Sequence, residues 1–174
     1  LKTLRTEELD KPGAADRFHD EARAVAQLRH PNIVAVHEVG TQDGIVYFTM
    51  EFIEGLPLDR HLIREEEGLT TRQAVEIVSQ IAESLVYSHR VGVVHRDLKP
   101  ANIIVDLEGV PFLVDWGIAK RLEGPRLEYD EEEDLLGSIP YMAPEYVEGS
   151  AYDEQCDLYS LGVLFYESLA GPNK

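Results

Sequence analysis

The chain has little that could cross-link it covalently or through a metal. Cys156 is the only cysteine in 174 residues, so neither a disulfide framework nor a cysteine-based zinc site can form within it. Positive charge is also scarce, because 16 Lys and Arg residues stand against 33 Asp and Glu residues and give a net charge of −17. Such an excess repels the phosphates of nucleic acids and anionic lipid headgroups. We therefore expect neither nucleic acid nor a membrane surface as a partner.

Long apolar runs are missing as well. No stretch of the sequence reaches the roughly 18 consecutive apolar residues that a membrane-spanning helix requires. No basic segment followed by an apolar one opens the chain, as a signal peptide would. We therefore expect a cytoplasmic location. With 44% hydrophobic residues, the chain can build the core of one ordinary domain or of part of one.

Hydrophobic periodicity predicts three helices. Apolar residues at helical spacing indicate a helix over 16–29, which His30 and Pro31 end. Thr70 with Gln73 three residues later forms a capping-box pattern and predicts a second helix, which continues to about Gly92. Residues 158–169 are apolar at almost every position, which predicts a helix that is buried on all sides.

The remaining apolar segments are short and predict strands. Two runs between Ile33 and Ile53 flank a turn-prone segment over 40–44, which indicates a β-hairpin. Further strands are predicted at 93–94, 103–105 and 112–114, the last two joined by a turn over 106–109. Segment 128–134 contains six acidic residues in seven positions and predicts an exposed loop.

Polar side chains concentrate beside two of these strands. The segment His95-Arg96-Asp97-Leu98-Lys99-Pro100-Ala101-Asn102 precedes one strand, and Asp115-Trp116-Gly117 follows the next. Phosphoryl transfer requires a carboxylate that accepts a hydroxyl proton and oxygen ligands for Mg²⁺. Asp97 suits the first role, and Asn102 and Asp115 suit the second.

These motifs, together with Ala143-Pro144-Glu145 further along, resemble those of serine/threonine protein kinase domains, and the resemblance covers essentially the whole chain. It implies an α+β, two-lobed protein-kinase-like fold. A partial, β-rich N-lobe would span 1–55, and a partial, helical C-lobe would span 56–174. The family's glycine-rich loop and its last helices are not in the sequence, so we expect a domain truncated at both ends.

The resemblance also implies roles for individual residues. Asp97 would be the catalytic base, Lys99 would stabilise the transferred charge, and Arg96 would meet a negative charge from the activation segment, a charge that Asp130 to Asp134 could supply. Asn102 and Asp115 would bind Mg²⁺, and Asp157 would hold the backbone of the segment 95–102, which corresponds to the family's catalytic loop. The nucleotide would be bound by an ion-paired lysine and glutamate, by hinge residues and by one strand residue: Lys2, Glu21, Met50, Glu51, Ile53 and Ile104.

The implied activity is transfer of the γ-phosphoryl group of ATP, with Mg²⁺, to Ser or Thr hydroxyls of a protein substrate. Lys99, two residues after Asp97, is typical of the serine/threonine rather than the tyrosine kinases of the family.

Two other functions stay open. A catalytically impaired pseudokinase is suggested by the missing glycine-rich loop and by Trp116, which stands where the family usually has phenylalanine. A small-molecule kinase of the aminoglycoside phosphotransferase type shares the His-x-Asp, Asn and Asp set, although we would not expect it to contain Ala143-Pro144-Glu145. The family pattern also places Trp116 beside Val25, and we expect the small valine to make room for the indole.

Overall fold

The computed structural model describes residues 2–3, 22–42, 45–64, 69–116, 139–147 and 153–171. These residues form two small antiparallel sheets and a set of helices. The strands are β1 (Lys2–Thr3), β2 (Val36–Gln42), β3 (Ile45–Met50), β4 (Gly55–Pro57), β5 (Ile103–Asp106) and β6 (Pro111–Leu113). The helices are α1 (helical over 22–26), α2 (Leu58–Arg64), α3 (Thr71–Arg90), α4 (Pro144–Val147) and α5 (Gln155–Ala170).

The first sheet has the strand order β1-β3-β2. Its β2 and β3 strands confirm the predicted hairpin, and they pair so that Val39 lies opposite Phe48. Phe48 is buried together with Ala22, Val25 and Leu28 from α1 and the turn that follows it. The helix predicted over 16–29 is therefore seen as α1, which ends at residue 26, three residues earlier than predicted. Residues 16–21 and the hairpin residues 43–44 lie outside the described part of the chain.

The second sheet has the order β4-β5-β6. The strand predicted at 103–105 is β5, and the one predicted at 112–114 is β6, displaced by one residue. The strand predicted at 93–94 is wrong. Val93 instead donates its N–H to the carbonyl of Ser88 at 2.9 Å, because the chain folds back onto the end of α3. The short elements β4 and α2 carry too few residues to show a period, and the sequence did not predict them.

Helices α3 and α5 pack against each other. The predicted capping box starts α3, with Thr70 Oγ1 accepting from the N–H of Gln73 at 3.3 Å and Gln73 Oε1 accepting from the N–H of Thr70 at 3.1 Å. The helix predicted at 158–169 is α5, but its burial on all sides is wrong for the described residues. Leu158 and Tyr166 are 55% and 62% exposed, because α3 and the turn Ile139–Tyr141 cover one side of α5.

The connection between α1 and β2 joins the two sheets. Ile33 forms a parallel bridge with Leu113 of β6, so the segment 32–34 lies along the free edge of the second sheet. Among the described residues, none of the helices has the length and apolar character needed to cross a bilayer.

Gly55 allows β4 and β5 to approach closely. A Cβ atom at this position would lie 2.2 Å from the backbone oxygen of Val105, so the strands must separate to admit a side chain. We expect Gly55→Ala to lower the free energy of unfolding by about 1–3 kcal/mol, measured by urea denaturation.

The control for this substitution is Gly162→Ala on α5. A Cβ at Gly162 meets no atom within 4 Å, and alanine forms helices more readily than glycine. We expect no loss of stability. Equal effects of the two substitutions would contradict the close-approach explanation.

Candidate active site

The loop between α3 and β5 brings three of the predicted site residues together. Asn102 Nδ2 donates to the backbone oxygen of Asp97 at 2.7 Å and to its carboxylate Oδ2 at 3.0 Å. Lys99 Nζ lies 3.5 Å from the same Oδ2. Leu98, between Asp97 and Lys99, is buried in the core. The alternation of buried and polar residues therefore places Asp97 and Lys99 on the same side of the loop, and the hydrogen bonds of Asn102 bring its side chain to Asp97.

Strand β6 brings Asp115 next to this cluster. The N–H of Val114 donates to the carbonyl oxygen of Asn102 at 3.0 Å, and Asp115 follows directly in the left-handed conformation with φ 55°. Because Asn102 uses its amide nitrogen to bind Asp97, its amide oxygen is the atom that can face a cation. Amide and carboxylate oxygens are ligands that Mg²⁺ accepts, with water and phosphate oxygens completing its octahedral shell. The donor set of Asn102 and Asp115 therefore fits a magnesium ion bound together with a phosphate.

Asp157, at the start of α5, binds the backbone of the same loop. Its carboxylate is 1% exposed and accepts the backbone N–H of His95 at Oδ2 and that of Arg96 at Oδ1, both at 2.8 Å. The Nε2 atom of His89 also lies 2.8 Å from Oδ2. The predicted contact of Asp157 with the loop backbone is thus confirmed. It holds Arg96 in a left-handed conformation with φ 67°.

Burial by itself would raise the pKa of the Asp157 carboxyl group. The hydrogen bond from His89 and the two donated backbone N–H groups outweigh that effect and hold this pKa below its ordinary value. Asp157 is therefore ionised at neutral pH.

The rings of His95 and Trp116 pack against each other in the core next to the site. Their rings lie 4.8 Å apart at an interplanar angle of 44°, and His95 Nε2 lies 3.1 Å from the oxygen of Val114. Burial lowers the pKa of His95 in spite of the nearby carboxylates of Asp157 and Asp97, so the ring is neutral at pH 7. Trp116 is 4% exposed and belongs to the same core cluster as Val25 and Val36.

The predicted nucleotide-binding residues are distributed over β1, β3, the connection after β3, and β5. Met50 ends β3, and the following Glu51 donates its N–H to Ala35 O at 2.8 Å. Glu51 and Ile53 lie on the connection between the two sheets, and Ile104 lies in β5 opposite Phe112. Lys2 lies in β1, paired with Phe48. The Lys2 side chain and all of Glu21 are outside the described residues, so their ion pair stays a prediction.

Helix α5 also binds the segment that contains the turn Ile139–Tyr141. Ser160 Oγ donates to the backbone oxygen of Tyr141 at 2.7 Å, and Tyr141 Oη donates to Glu167 Oε2. Burial and then the Glu167 carboxylate raise the pKa of Tyr141 above its ordinary value. The acidic run at 128–134 lies outside the described residues.

The sequence reasoning missed three of these contacts, those of His89, Ser160 and Glu167. Polar residues at 157, 160 and 167 share one face of a mostly apolar helix, and this spacing is the signal that points to the last two.

A protein kinase domain family model matches residues 1–173 of the chain. The chain belongs to the protein kinase domain family. It is 39% identical over 171 residues to the probable serine/threonine-protein kinase CPE1738 of Clostridium perfringens, with 98% of this chain and 24% of that protein covered. It is 34% identical over 171 residues to the serine/threonine-protein kinase PrkC of Bacillus subtilis, with 98% and 26% covered.

The kinase domain agrees with solved structures as well. A variant of the Mycobacterium tuberculosis PknI kinase domain superposes with a TM-score of 0.76 at 27% identity, and the match covers 98% of this chain and 62% of that one. The predicted family and the α+β, protein-kinase-like fold are therefore confirmed. The chain spans about a quarter of the length of the curated relatives that it matches.

The buried Asp157 carboxylate gives a prediction for stability and its pH dependence. We expect Asp157→Asn to lower the free energy of unfolding at pH 7 by about 3 kcal/mol, because two backbone donors and His89 lose an ionised acceptor. A carboxyl group with a depressed folded pKa stabilises the fold above its unfolded pKa of about 3.9, and this contribution disappears as the pH falls through the folded value.

The difference between the two proteins should therefore shrink below about pH 4, which urea denaturation at several pH values can measure. Glu108→Gln in the exposed β5–β6 turn is the control and should change stability by less than about 0.5 kcal/mol. A difference for Asp157→Asn that persists undiminished in acid would contradict the role of the ionised carboxylate.

The packing of Trp116 gives a second prediction. We expect Val25→Leu to overpack the cluster and cost about 1–3 kcal/mol of stability. The same substitution in a Trp116→Phe background should cost less, because the smaller ring leaves room for the added methylene. A double-mutant cycle should give a coupling above about 0.5 kcal/mol, and additive effects would show that the two side chains do not share this space.

Proposed function

We propose that this chain is the core of a serine/threonine protein kinase, which transfers the γ-phosphoryl group of Mg·ATP to Ser or Thr hydroxyls of protein substrates. The observation that supports this function most directly is the cluster of Asp97, Lys99 and Asn102 beside Asp115. The names of the relatives, which are serine/threonine-protein kinases at 33–39% identity, support the same activity. Because the chain covers only part of these relatives, substrates and partners of the whole protein belong to the proposal.

Asp97 is the proposed catalytic base. Asn102 holds its carboxylate by a hydrogen bond of 3.0 Å, so one oxygen can be aimed at the substrate hydroxyl and accept its proton. Lys99, 3.5 Å from the same carboxylate, carries a positive charge that offsets the charge of the moving phosphoryl group. We assign Arg96 the role of meeting a negative charge from the activation segment, because Asp157 fixes its backbone beside the base.

Asn102 and Asp115 are the proposed magnesium ligands. When bound, Mg²⁺ neutralises phosphate charge and fixes the phosphate geometry. The protein positions the two ligands through the hydrogen bond from Val114 to the carbonyl of Asn102, at 3.0 Å. A shift of β6 would therefore move Asp115 relative to Asn102.

The adenine ring is proposed to bind at the connection between the two sheets. Backbone groups of Glu51 and Ile53 would bond the base, while Met50 and Ile104 would contact its faces. Lys2, oriented by Glu21, would bind the phosphates from the first sheet. We place the boundary between the lobes at 55 and 56, at the start of β4, where the connection from β3 joins the second sheet. We propose a cytoplasmic location for this ATP-dependent activity.

Replacement of the proposed base tests this function. In the full-length protein, Asp97→Asn should reduce γ-phosphate transfer to a generic protein substrate by about 10²–10⁴-fold. Binding of Mg·ATP should change little, because Asn102 and Asp115 remain. Radiolabelled transfer followed by phosphoamino acid analysis measures the first effect, and calorimetry measures the second.

Glu83→Gln, an exposed change on α3, is the matched control and should keep full activity. Transfer that is unaffected by Asp97→Asn would contradict the assignment of the base. A wild-type protein that binds Mg·ATP without transferring phosphate would favour the pseudokinase, and transfer to a small molecule in place of Ser or Thr would favour the other alternative.

A further inference from the structure

The segment after α1 is hydrogen-bonded to β6, the strand that precedes Asp115. Leu113 donates its N–H to the oxygen of Asn32 at 2.8 Å and accepts the N–H of Val34 at 3.0 Å. Leu113 lies two residues before Asp115. Since β6 has three residues and pairs with β5 on one side, the segment 32–34 supplies the backbone partners on its other side.

The side chain of Asn32 strengthens this attachment. Asn32 is 5% exposed, and its Nδ2 donates to the buried oxygen of Pro111 at 2.9 Å and to Gln80 Oε1 at 3.0 Å. Gln80 Nε2 in turn donates to the backbone oxygen of Glu76 at 3.0 Å, which orients its amide on α3. Asn32 therefore joins both ends of β6 to α3, and each side-chain hydrogen has an acceptor.

A second attachment lies beside the first, at the end of α1. The hydroxyl oxygen of Tyr87 on α3 accepts the N–H of Arg29 at 3.0 Å. The Arg29 guanidinium donates to the carbonyl oxygens of Ala26 and Leu28 at 2.7 and 2.8 Å, so it also caps α1. The end of α1 and the strand before Asp115 are thus fixed to the same face of α3.

We propose that Asn32 is a positioning residue, which keeps β6 and the metal-binding Asp115 in register with α1 and the first sheet. The proposal rests on the proposed function, because it gives Asp115 a magnesium ion to bind. Loss of the Asn32 amide leaves the buried Pro111 oxygen without its donor and frees one side of a three-residue strand. A smaller fraction of molecules then presents Asp115 correctly, and the apparent dissociation constant rises in inverse proportion to that fraction.

Binding of Mg²⁺ with a non-hydrolysable ATP analogue tests the proposal in the full-length protein. Calorimetry measures this binding directly. We expect Asn32→Ala to raise the Mg²⁺ concentration at half-saturation about tenfold, which corresponds to a competent fraction near one tenth. Gln80→Met, which removes the acceptor for Asn32, should raise it about threefold.

Two controls separate positioning from a general loss of stability. Gln80→Glu keeps an acceptor oxygen for Asn32 and should stay within about twofold of the wild type. Ile77→Val on the same helix removes one buried methyl group but keeps the side chains of Asn32 and Gln80, and it should lower the free energy of unfolding by about 0.5–1.5 kcal/mol. It should leave Mg²⁺ binding unchanged at temperatures well below unfolding.

The proposal is overturned if Asn32→Ala binds Mg²⁺ as the wild type does, or if Ile77→Val weakens binding as much as Asn32→Ala does. It is also overturned if the wild type shows no Mg²⁺-dependent binding, which would remove the metal from the proposed function too. Wild-type binding without phosphoryl transfer overturns the kinase activity and not the positioning role.

Discussion

The arrangement of the site depends on one buried carboxylate. Asp157 accepts two backbone N–H groups of the catalytic loop and contacts His89 on the neighbouring helix. The loop backbone is left-handed at Arg96, a conformation that costs free energy in a residue with a side chain. The ionised acceptor compensates that cost locally, so the direction in which Asp97 and Lys99 project follows from the position of α5.

The same helix serves a second segment of the chain. Ser160 and Glu167 bind Tyr141 through its carbonyl and its hydroxyl, on the face of α5 that also presents Asp157. Helix α5 therefore fixes the catalytic loop and the turn at 139–141 relative to each other. The mostly apolar sequence of α5 predicts burial on all sides. In the structure the helix is packed on one side only, and Asp157, Ser160 and Glu167 bind neighbouring segments.

Much of the fold could be predicted from the sequence, because long periodic segments carry a strong signal. The capping box of Thr70 and the apolar face of α3 placed that helix to within about two residues. The short elements β4 and α2 could not be predicted, since three and seven residues are too few to show a period. The strand predicted at 93–94 is wrong, because two neighbouring apolar residues carry no information on whether a partner strand lies beside them.

The sequence sets the identity and order of the site residues, and their resemblance to the protein kinase family predicts a base, two oxygen ligands and a lysine. The tertiary structure decided how these groups are held. The hydrogen bond from Asn102 to Asp97, the anchoring of Arg96 by Asp157 and the contact of Asn32 with β6 join residues between 5 and 79 positions apart. Such contacts form because burial forces each polar group to find a partner in three dimensions, and a linear pattern does not record which partner that is.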